Sequence, residues 1–410
     1  RRAGGAVLRR GIEGGRLPYC APMQLFHGVV FELCDRRPDL LFLPLVRSIP
    51  RVDDADAGEL CPLVLGSPDV VGGVLPPGGP RVVRSVIDFD ELGYRGARFR
   101  EAMRGVAADV GAPEGWERAL ERAVAAQEAF EQQCLALGRD ALARCAAEGV
   151  VPVIVHGRPY TVYNDVLNSN VPSLLRTLGA VAIPLDCFPV DPATPALPRQ
   201  YWGYTQRNLR AAHTVRRTPG VYSVFCSNYA CGPDSFGLHF FAYAMQGKPS
   251  AVIETDGHSG DAGTKTRLEA FLYCVDGDRR SRASQQGPAA DFSRIDGPGI
   301  DWAETRRRDA RVLLPRMSEN AVVAAAALRA EGLRAEALPP TTRDDVRVGR
   351  QHTSGKECVP MMITLGALLN RVRALPDPTE PVTLFMPTAR GPCRFGVYGS
   401  LYQIALERLG

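Results

Sequence analysis

The sequence predicts an α/β protein with two or more Rossmann-like units, each a parallel sheet with helices on both faces. Short apolar runs of strand length alternate with segments of helical periodicity, and this alternation recurs in two parts of the chain. Strands that alternate with helices along a chain form parallel sheets covered by helices. The chain has 410 residues, more than one ordinary core accommodates, so we expect several domains joined by a helical segment.

The first unit is predicted at residues 1–96, where the apolar run 39–46 indicates a buried strand. Residues 97–149 are rich in Ala, Arg and Glu with helical periodicity, and they predict a helical connection. A second α/β unit is predicted at 150–274. Its predicted strands are 150–155, 180–185, 221–225 and 250–254, and its predicted helices are 171–178 and 235–245.

The polar, Gly- and Ser-containing stretch 275–300 is typical of a linker. Residues 301–410 restart the alternation. Their predicted elements are strand 311–315, helix 321–331, strand 381–386 and helix 399–409. Because the chain lacks an initial Met and stops directly after the last predicted helix, we expect truncation at both ends.

Composition excludes several classes of protein. Apolar residues are 45% and charged residues 23%, as in globular proteins, and the net charge is only +4. Basic residues are dispersed, so a nucleic-acid binder is not expected. The sequence shows neither an apolar run of membrane-spanning length nor a signal peptide, and we expect a cytoplasmic protein. Dinucleotide and P-loop fingerprints are also absent from the sequence.

Eleven cysteines are many for such a chain. A free cysteine often acts only as a small buried apolar residue. A secreted disulfide framework is not favoured, because the chain is long enough to bury a core without it. Clustered cysteines in an intracellular protein indicate metal or redox chemistry.

Five cysteines share a local pattern, a neighbouring Pro or Gly followed by a predicted helix start. They are Cys20, Cys61, Cys231, Cys358 and Cys393. Proline is favoured in the first helical turn, where free backbone N–H groups and the helix dipole favour a thiolate. Thiolates ligate iron, and the carboxyl ends of parallel strands bring such turns together. Zinc is the alternative metal, although the usual C-x₂-C pairs are absent.

The remaining cysteines are interpreted differently. Cys187 fits the same local pattern but is not counted as a ligand. Cys226 stands close enough to Cys231 in sequence to ligate, although a core position is favoured. Core positions are also expected for Cys34, Cys134, Cys145 and Cys274.

Longer sequence blocks are more specific than this pattern. They are GRPYTVYNDVLN at 157–168, YWGYTQR at 201–207, CGPDSF at 231–236, DAGTKTRLEAF at 261–271, SGKECVP at 354–360 and GPCRFG at 391–396. In this order they resemble the acyl-CoA dehydratase activase-related family, which is related to 2-hydroxyacyl-CoA dehydratase subunits and double-cubane cluster proteins.

The resemblance implies a cysteine-ligated iron–sulfur cluster, either [4Fe–4S] or a double cubane. It matches Cys20, Cys61 and Cys231 to the cysteines of a first cluster-binding module, and Cys358 and Cys393 to the first two of a second. It also implies an ATP-dependent activator of the ASKHA type as partner, separate or fused upstream, and an acyl-CoA or small-molecule substrate. A homodimer is compatible with the sequence.

Other residues near these blocks have alternative roles. Asn228, Asp234 and Ser235 are candidates to donate to cluster sulfur or to cap the following helix. Arg158 and Tyr160 are candidates to bind an anion or a substrate, or else lie on the surface. Glu254, His258 and Asp261 are candidates for acid–base chemistry or for ordering a loop. The aromatic residues Tyr201, Trp202 and Tyr204 are expected to pack. No catalytic residue is assigned.

Three functional hypotheses follow. The first is a component of an ATP-dependent iron–sulfur reductase or 2-hydroxyacyl-CoA dehydratase system, which passes low-potential electrons to a substrate. The second is a non-catalytic cluster-holding or electron-relay module fused to an ATPase. The third is a metal-free CoA- or nucleotide-binding α/β protein. Iron content separates the third hypothesis from the other two, and substrate turnover separates the first from the second.

Overall fold

The computed structural model describes residues 3–15, 19–52, 58–75, 78–197, 199–256, 260–281, 291–295, 299–391 and 393–409. The chain forms two compact units, residues 1–237 with 241–290, and residues 291–410 with 238–240. Both contain parallel sheets flanked by helices, which confirms the predicted fold class. In the described part of the chain, no helix has the length and apolar character needed to cross a bilayer.

The first unit begins with two helices, α1 (Gly5–Gly14) and α2 (Ala21–Asp35). Strands β1 (Leu40–Phe42) and β2 (Leu45–Val46) follow. They pair in parallel with β3 (Arg81–Val83) and β4 (Val86–Ile87), respectively. The one strand predicted at 39–46 is therefore divided, because Pro44 between the two parts lacks a backbone N–H.

Two short helices, α3 (Pro62–Leu65) and α4 (Ser67–Gly72), precede β3. The segment predicted as a helical connection contains α5 (Ala97–Asp109) and the 33-residue α6 (Trp116–Glu148).

The largest sheet has four parallel strands in the order β6-β5-β7-β8. Its strands are β5 (Val151–His156), β6 (Ala180–Pro184), β7 (Tyr222–Asn228) and β8 (Ser250–Thr255). The helices of this region are α7 (Pro159–Val162), α8 (Val171–Thr177), α9 (Gly203–Arg217), α10 (Asp234–Ala244) and α11 (Asp261–Ser281). All seven residues of β7 are buried, so this central strand has no solvent-facing side.

Helix α11 extends beyond the predicted start of the linker at residue 275. Val275 explains this extension, because it is 1% exposed and packs in the same apolar cluster as Leu268 and Phe271. Cys274 on this helix is exposed, so its predicted core position is wrong. Cys134, Cys145 and Cys226 are buried as predicted, and Cys34 is partly buried.

The second unit has a three-stranded parallel sheet in the order β10-β9-β11. Its strands are β9 (Arg311–Leu314), β10 (Arg334–Ala337) and β11 (Val382–Leu384). Its helices are α12 (Trp302–Arg307), α13 (Asn320–Ala330), α14 (Arg343–Gln351), α15 (Val359–Arg373) and α16 (Tyr398–Leu409).

Each unit contains a helical hairpin built on a close backbone approach. In the first hairpin (α1 and α2), a Cβ added to Gly11 would overlap the carbonyl oxygen of Gln24, and one added to Gly28 would overlap that of Val7. In the second hairpin (α14 and α15), Gly349 and Gly366 make the same kind of contact. Glycine is required at such positions because it lets two helix backbones touch. Each hairpin fixes the start of its second helix, where a cysteine precedes a proline.

Candidate functional site

Three of the five predicted ligands line one cavity of the first unit. The cavity has a volume of about 600 Å³, and its lining includes Cys20, Cys61 and Cys231. These cysteines are more than 40 residues apart in sequence, and none forms a disulfide. The tertiary fold therefore collects sulfur atoms from distant turns, as the sequence pattern predicted.

Cys20 and Cys61 are the residues immediately before α2 and α3, and each is followed by a proline in the first helical turn. The segment before Cys61 is fixed by backbone hydrogen bonds. Leu60 donates to the Arg47 carbonyl at 3.0 Å, and Glu59 donates to the Tyr201 carbonyl at 2.9 Å. Tyr201 and Trp202 are each 2% exposed, which confirms their predicted packing role and explains how they support this turn.

Cys231 and Arg158 come from neighbouring strands of the four-stranded sheet. Arg158 follows β5, and Cys231 follows β7, its parallel neighbour. Because parallel strands end at the same sheet edge, the two side chains meet there. Glycine is required at position 157, between β5 and Arg158. Its φ is +141°, and a Cβ there would lie only 2.6 Å from the Cys226 carbonyl oxygen.

Arg158 is the charged centre of the site. Its Nη1 donates to Cys231 Sγ at 3.1 Å and lies 2.6 Å from Asp234 Oδ2. Ser227 Oγ donates to the same Asp234 oxygen at 2.7 Å. The side chains of Arg158 and Asp234 are each only 7% exposed, so this ion pair is buried. Burial alone would lower the pKa of Arg158, but Asp234 and Cys231 outweigh it and raise that pKa well above its ordinary value.

The helix starts do not by themselves produce thiolates here. Burial raises the pKa of Cys20, and the backbone N–H of Met23 and the Arg158 charge only partly oppose it. Burial likewise raises the pKa of Cys231 well above its ordinary value, although Arg158 and the backbone N–H of Asp234 lower it. The expected helix-start effect is therefore present but smaller than desolvation. A bound cation would reverse this balance, because it stabilises the thiolates directly.

The cavity walls are largely apolar. They include Phe26, Val29, Phe42, Leu63 and Val64, and Arg158 is the one charged side chain among the described residues that line the cavity. Tyr160, a candidate for substrate binding, also lines it and is 36% exposed.

The described residues contain no group of three or more His, Cys, Asp or Glu close enough to hold a single metal ion. A mononuclear zinc site is therefore not formed by the three cavity cysteines as they stand. An iron–sulfur cubane offers a different iron atom to each thiolate, so its ligands surround a volume instead of a point. The three cavity cysteines, with the buried Arg158 guanidinium against one of them, fit an iron–sulfur cubane.

Cys358 and Cys393 have different surroundings. Cys358 immediately precedes α15, with a proline in the first turn as in α2. Its sulfur shares a 2.5 Å hydrogen bond with the Tyr398 hydroxyl. Cys393 is exposed and precedes a short 3₁₀ turn, Arg394–Val397. Burial and the nearby Cys358 and Cys393 raise the pKa of Tyr398, so the two cysteines lie in the same region of the second unit. Their role as ligands stays a prediction.

Several residues with alternative roles now have partners. Asp234 binds Arg158 instead of capping α10, and Ser235 Oγ donates to the Gly232 carbonyl at 2.6 Å. Asn228 accepts from Thr161 Oγ1 at 2.8 Å and donates to the Leu167 carbonyl at 3.0 Å, so it ties loops together.

The proposed polar cluster after β8 is described only in part. Asp261 accepts a hydrogen bond from Asn170 Nδ2 at 3.0 Å, which orders the start of α11. His258 lies outside the described residues.

The sequence contains a repeated motif that the local pattern around single cysteines does not include. The motif C-x-P-M-x₄-G occurs twice, from Cys20 to Gly28 and from Cys358 to Gly366. A further glycine stands nine residues before each cysteine, Gly11 and Gly349. These four glycines make the close contacts of the two hairpins. Their spacing therefore identifies the hairpins as equivalent elements.

Comparison with known proteins gives one family. Residues 3–188 match the family described as the CoA enzyme activase uncharacterised domain (DUF2229). No curated protein and no solved structure matches the chain. The matched segment runs from α1 to the end of the 3₁₀ turn after β6 and contains Cys20, Cys61 and Arg158. This match, which covers less than half of the chain, agrees with the family that the resemblance predicted.

Proposed function

We propose that the first unit holds an iron–sulfur cluster through Cys20, Cys61 and Cys231, and that it works in an ATP-dependent reductase or dehydratase system. The observation that carries this proposal is the single cavity onto which three distant cysteines open beside a buried guanidinium. When bound, the cluster would supply one-electron chemistry at low potential.

The residues of the chain then have separate tasks. The helix starts at α2 and α3 present Cys20 and Cys61, and the loop after β7 presents Cys231. Three thiolates are one fewer than usually hold a cubane, so one position falls to another ligand. The apolar walls exclude water, which limits side reactions of a reduced centre.

The family match supports an enzyme partner. The matched domain is described as belonging to CoA enzyme activases. In this proposal the electron donor to this chain is the expected ATP-dependent activator. In this proposal the substrate is an acyl-CoA or a small molecule that enters the same cavity, next to Tyr160.

The experiment is anaerobic purification of the whole protein, reconstitution with iron and sulfide, and metal analysis with low-temperature EPR. We expect stoichiometric iron and sulfide, and an EPR signal after reduction with dithionite. Cys20→Ser, Cys61→Ser and Cys231→Ser should each lose most of the iron. The matched control is Cys274→Ser, because Cys274 is exposed on α11 and outside the cavity lining.

Two results would contradict the proposal. One is a wild-type protein that stays colourless and iron-free after reconstitution. The other is unchanged iron content in all three cavity variants. Either result would favour a second candidate, the metal-free binding of an acyl chain, which the apolar walls of the cavity support.

A further inference from the structure

We infer that the exposed side of helix α6 is the docking surface for a second copy of this chain, which binds through its own α6 in the antiparallel direction. This surface differs from the candidate site, because no α6 residue is among the described residues that line the cavity. Docking of a second copy therefore needs neither iron nor substrate.

Helix α6 (Trp116–Glu148) packs along one side only. Its buried residues are Leu120, Val124, Cys134, Gly138 and Cys145. Beside this buried side runs an exposed row, which we call the α6 stripe, formed by Ala119, Ala123, Ala126, Phe130 and Leu137. At 3.6 residues per turn, these five residues point within about 60° of one another.

The α6 stripe carries two large apolar side chains that are in contact with solvent. Phe130 is 57% exposed and Leu137 is 65% exposed. A single exposed apolar side chain is ordinary at a protein surface. Two of them seven residues apart, in line with alanines at intervals of three and four residues, form the pattern of a seam between two helices. Covering both would favour association, because their apolar surface would leave water.

The order of large and small side chains along the α6 stripe fits a partner that runs in the opposite direction. An antiparallel pair has its two-fold axis between residues 131 and 132 when Leu137 lies opposite the partner's Ala126. Because antiparallel helices advance together residue for residue, Phe130 then lies opposite the partner's Gln133. A large side chain faces a smaller one at both levels, which lets the two helices pack without overlap or void.

The charges beside the α6 stripe favour the same arrangement. Arg122 and Asp140 are exposed and 18 residues apart, which is five helical turns, so they lie along the same edge of the stripe. The antiparallel register brings Arg122 to the level of the partner's Asp140, and the two-fold axis repeats this pair. Neither residue has an ion pair within the described part of the chain, whereas Arg144 on the same helix is paired with Glu148 at 3.7 Å. A parallel pair would instead place Arg122 against the partner's Arg122, which repulsion disfavours.

The length of α6 sets the expected affinity. Its 33 residues extend about 50 Å, and the two-fold axis lies near the middle of the helix, so almost the whole length overlaps. A contact about 10 Å wide along this length buries about 1,000 Å² from both copies together, near the lower limit of specific interfaces. The dimer should therefore have a dissociation constant of about 10 μM.

Sedimentation velocity of the whole protein, between about 1 and 100 μM, tests the association. We expect a monomer–dimer equilibrium in the wild type. Leu137→Glu should raise the dissociation constant about a hundredfold, because two-fold symmetry places the substituted side chain in the interface twice. The matched control is Val323→Glu, which should change nothing, since Val323 is 69% exposed on α13 of the second unit. Circular dichroism verifies that both variants are folded.

Exchange of the two charges tests the antiparallel register. Arg122→Asp and Asp140→Arg should each raise the dissociation constant about tenfold, because each places like charges opposite one another twice. An equimolar mixture of the two variants should regain the wild-type constant, since both ion pairs can form between one copy of each variant. A structural effect of either substitution on its own copy would not be repaired by mixing.

The outcomes are distinct. A dimer that Leu137→Glu and both charge variants weaken, and that the mixture restores, supports the inference. A protein that stays monomeric up to about 100 μM overturns it, as does a dimer whose dissociation constant Leu137→Glu leaves unchanged. A dimer that Leu137→Glu disrupts but that the mixture of charge variants does not restore overturns the antiparallel pairing. All measurements use protein without added iron, so a negative result leaves the proposed function standing.

Discussion

The two helical hairpins of this chain are alike in backbone and different in surroundings. In each, two glycines bring the helices into contact, and a cysteine followed one residue later by proline begins the second helix. In the first hairpin that cysteine, Cys20, lines a cavity with two further cysteines and a buried arginine. In the second, the sulfur of Cys358 is hydrogen-bonded to the hydroxyl of Tyr398.

This difference shows which part of a site a local motif supplies. The hairpin presents one sulfur at a helix start, where backbone N–H groups oppose the cost of charging it. It does not supply the other ligands or the charge. In the first unit these come from the short helix α3 and from the carboxyl ends of β5 and β7. The second unit brings a phenol to the corresponding sulfur.

The largest expected effect concerns Cys61 of the first unit, and it is compared with Cys393 of the second unit. Cys61→Ser should remove most of the iron that the wild type binds, since Cys61 lines the cavity. Cys393→Ser should leave the first-unit content unchanged, because Cys393 belongs to the second unit. Iron and sulfide analysis after identical reconstitution measures both. Equal losses in the two variants would remove the functional distinction between the sites.

The second prediction concerns what the hairpins share. Gly28→Ala and Gly366→Ala each place a methyl group against a backbone carbonyl of the facing helix. Each should lower the free energy of unfolding by about 3 kcal/mol, because backbone in a packed hairpin relaxes poorly. Urea denaturation followed by circular dichroism measures this cost.

The matched control for these glycines is Gly105→Ala on α5. An added methyl group there meets no atom within 4 Å, and better helix propensity should raise stability by about 1 kcal/mol. A loss at Gly28 without one at Gly366 would show that the hairpins are not equivalent.

The third prediction uses a buried histidine that distinguishes the two sheets. His156 ends β5 and is 0% exposed, whereas β9 of the second unit has no histidine. Burial lowers the pKa of His156 to about 3. Its folded-state pKa thus lies below the unfolded value of about 6.5. The unfolded state binds the proton more readily, so stability is present above about pH 6.5 and falls as the pH drops towards about 3.

From pH 7.5 to 5.5, this group should cost the first unit about 1.4 kcal/mol. Urea denaturation at both pH values measures it, and His156→Gln should remove this part of the dependence. The variant also changes the hydrogen bond to Ser223, so the pH slope is the informative quantity. An unchanged slope in the variant would contradict the assignment.

The smallest effect is expected at the sulfur–phenol contact of the second unit. Tyr398→Phe removes the hydroxyl that bonds Cys358 at 2.5 Å. A partly buried hydrogen bond contributes about 1 kcal/mol, so a loss of that size is expected in urea denaturation. Tyr273→Phe is the control, because Tyr273 is 75% exposed on α11. No difference between the two variants would mean that the contact does not stabilise the unit.

The strands and most helices were predictable where local pattern and tertiary environment agree. Strands β5 and β7 are short apolar runs and are almost wholly buried, as such runs predict. Strands β6 and β8 are partly buried. Helix α9 was missed because its residues are mostly polar, yet nearly all of them are buried. Gln206 and Asn208 explain this, since their side chains bond backbone groups of other segments.

In the candidate site, too, local features were predictable from the sequence and long-range contacts were not. The position of Cys20, Cys61 and Cys358 directly before helices was predictable, because cysteine and proline at a helix start act locally. The partner of Arg158 was not, since Asp234 lies 76 residues further along the chain (234 − 158). Only the pairing of β5 with β7 brings the two together.

The sequence by itself determined the α/β class, the helix starts that carry the cysteines and the family model that residues 3–188 match. Tertiary structure alone decided that three of those cysteines share a cavity, and that a buried cation contacts one of them. The physical reason is the sequence distance over which each interaction acts. Capping, periodicity and proline chemistry act within a few residues, whereas desolvation and charge pairing depend on which distant strands end at the same sheet edge.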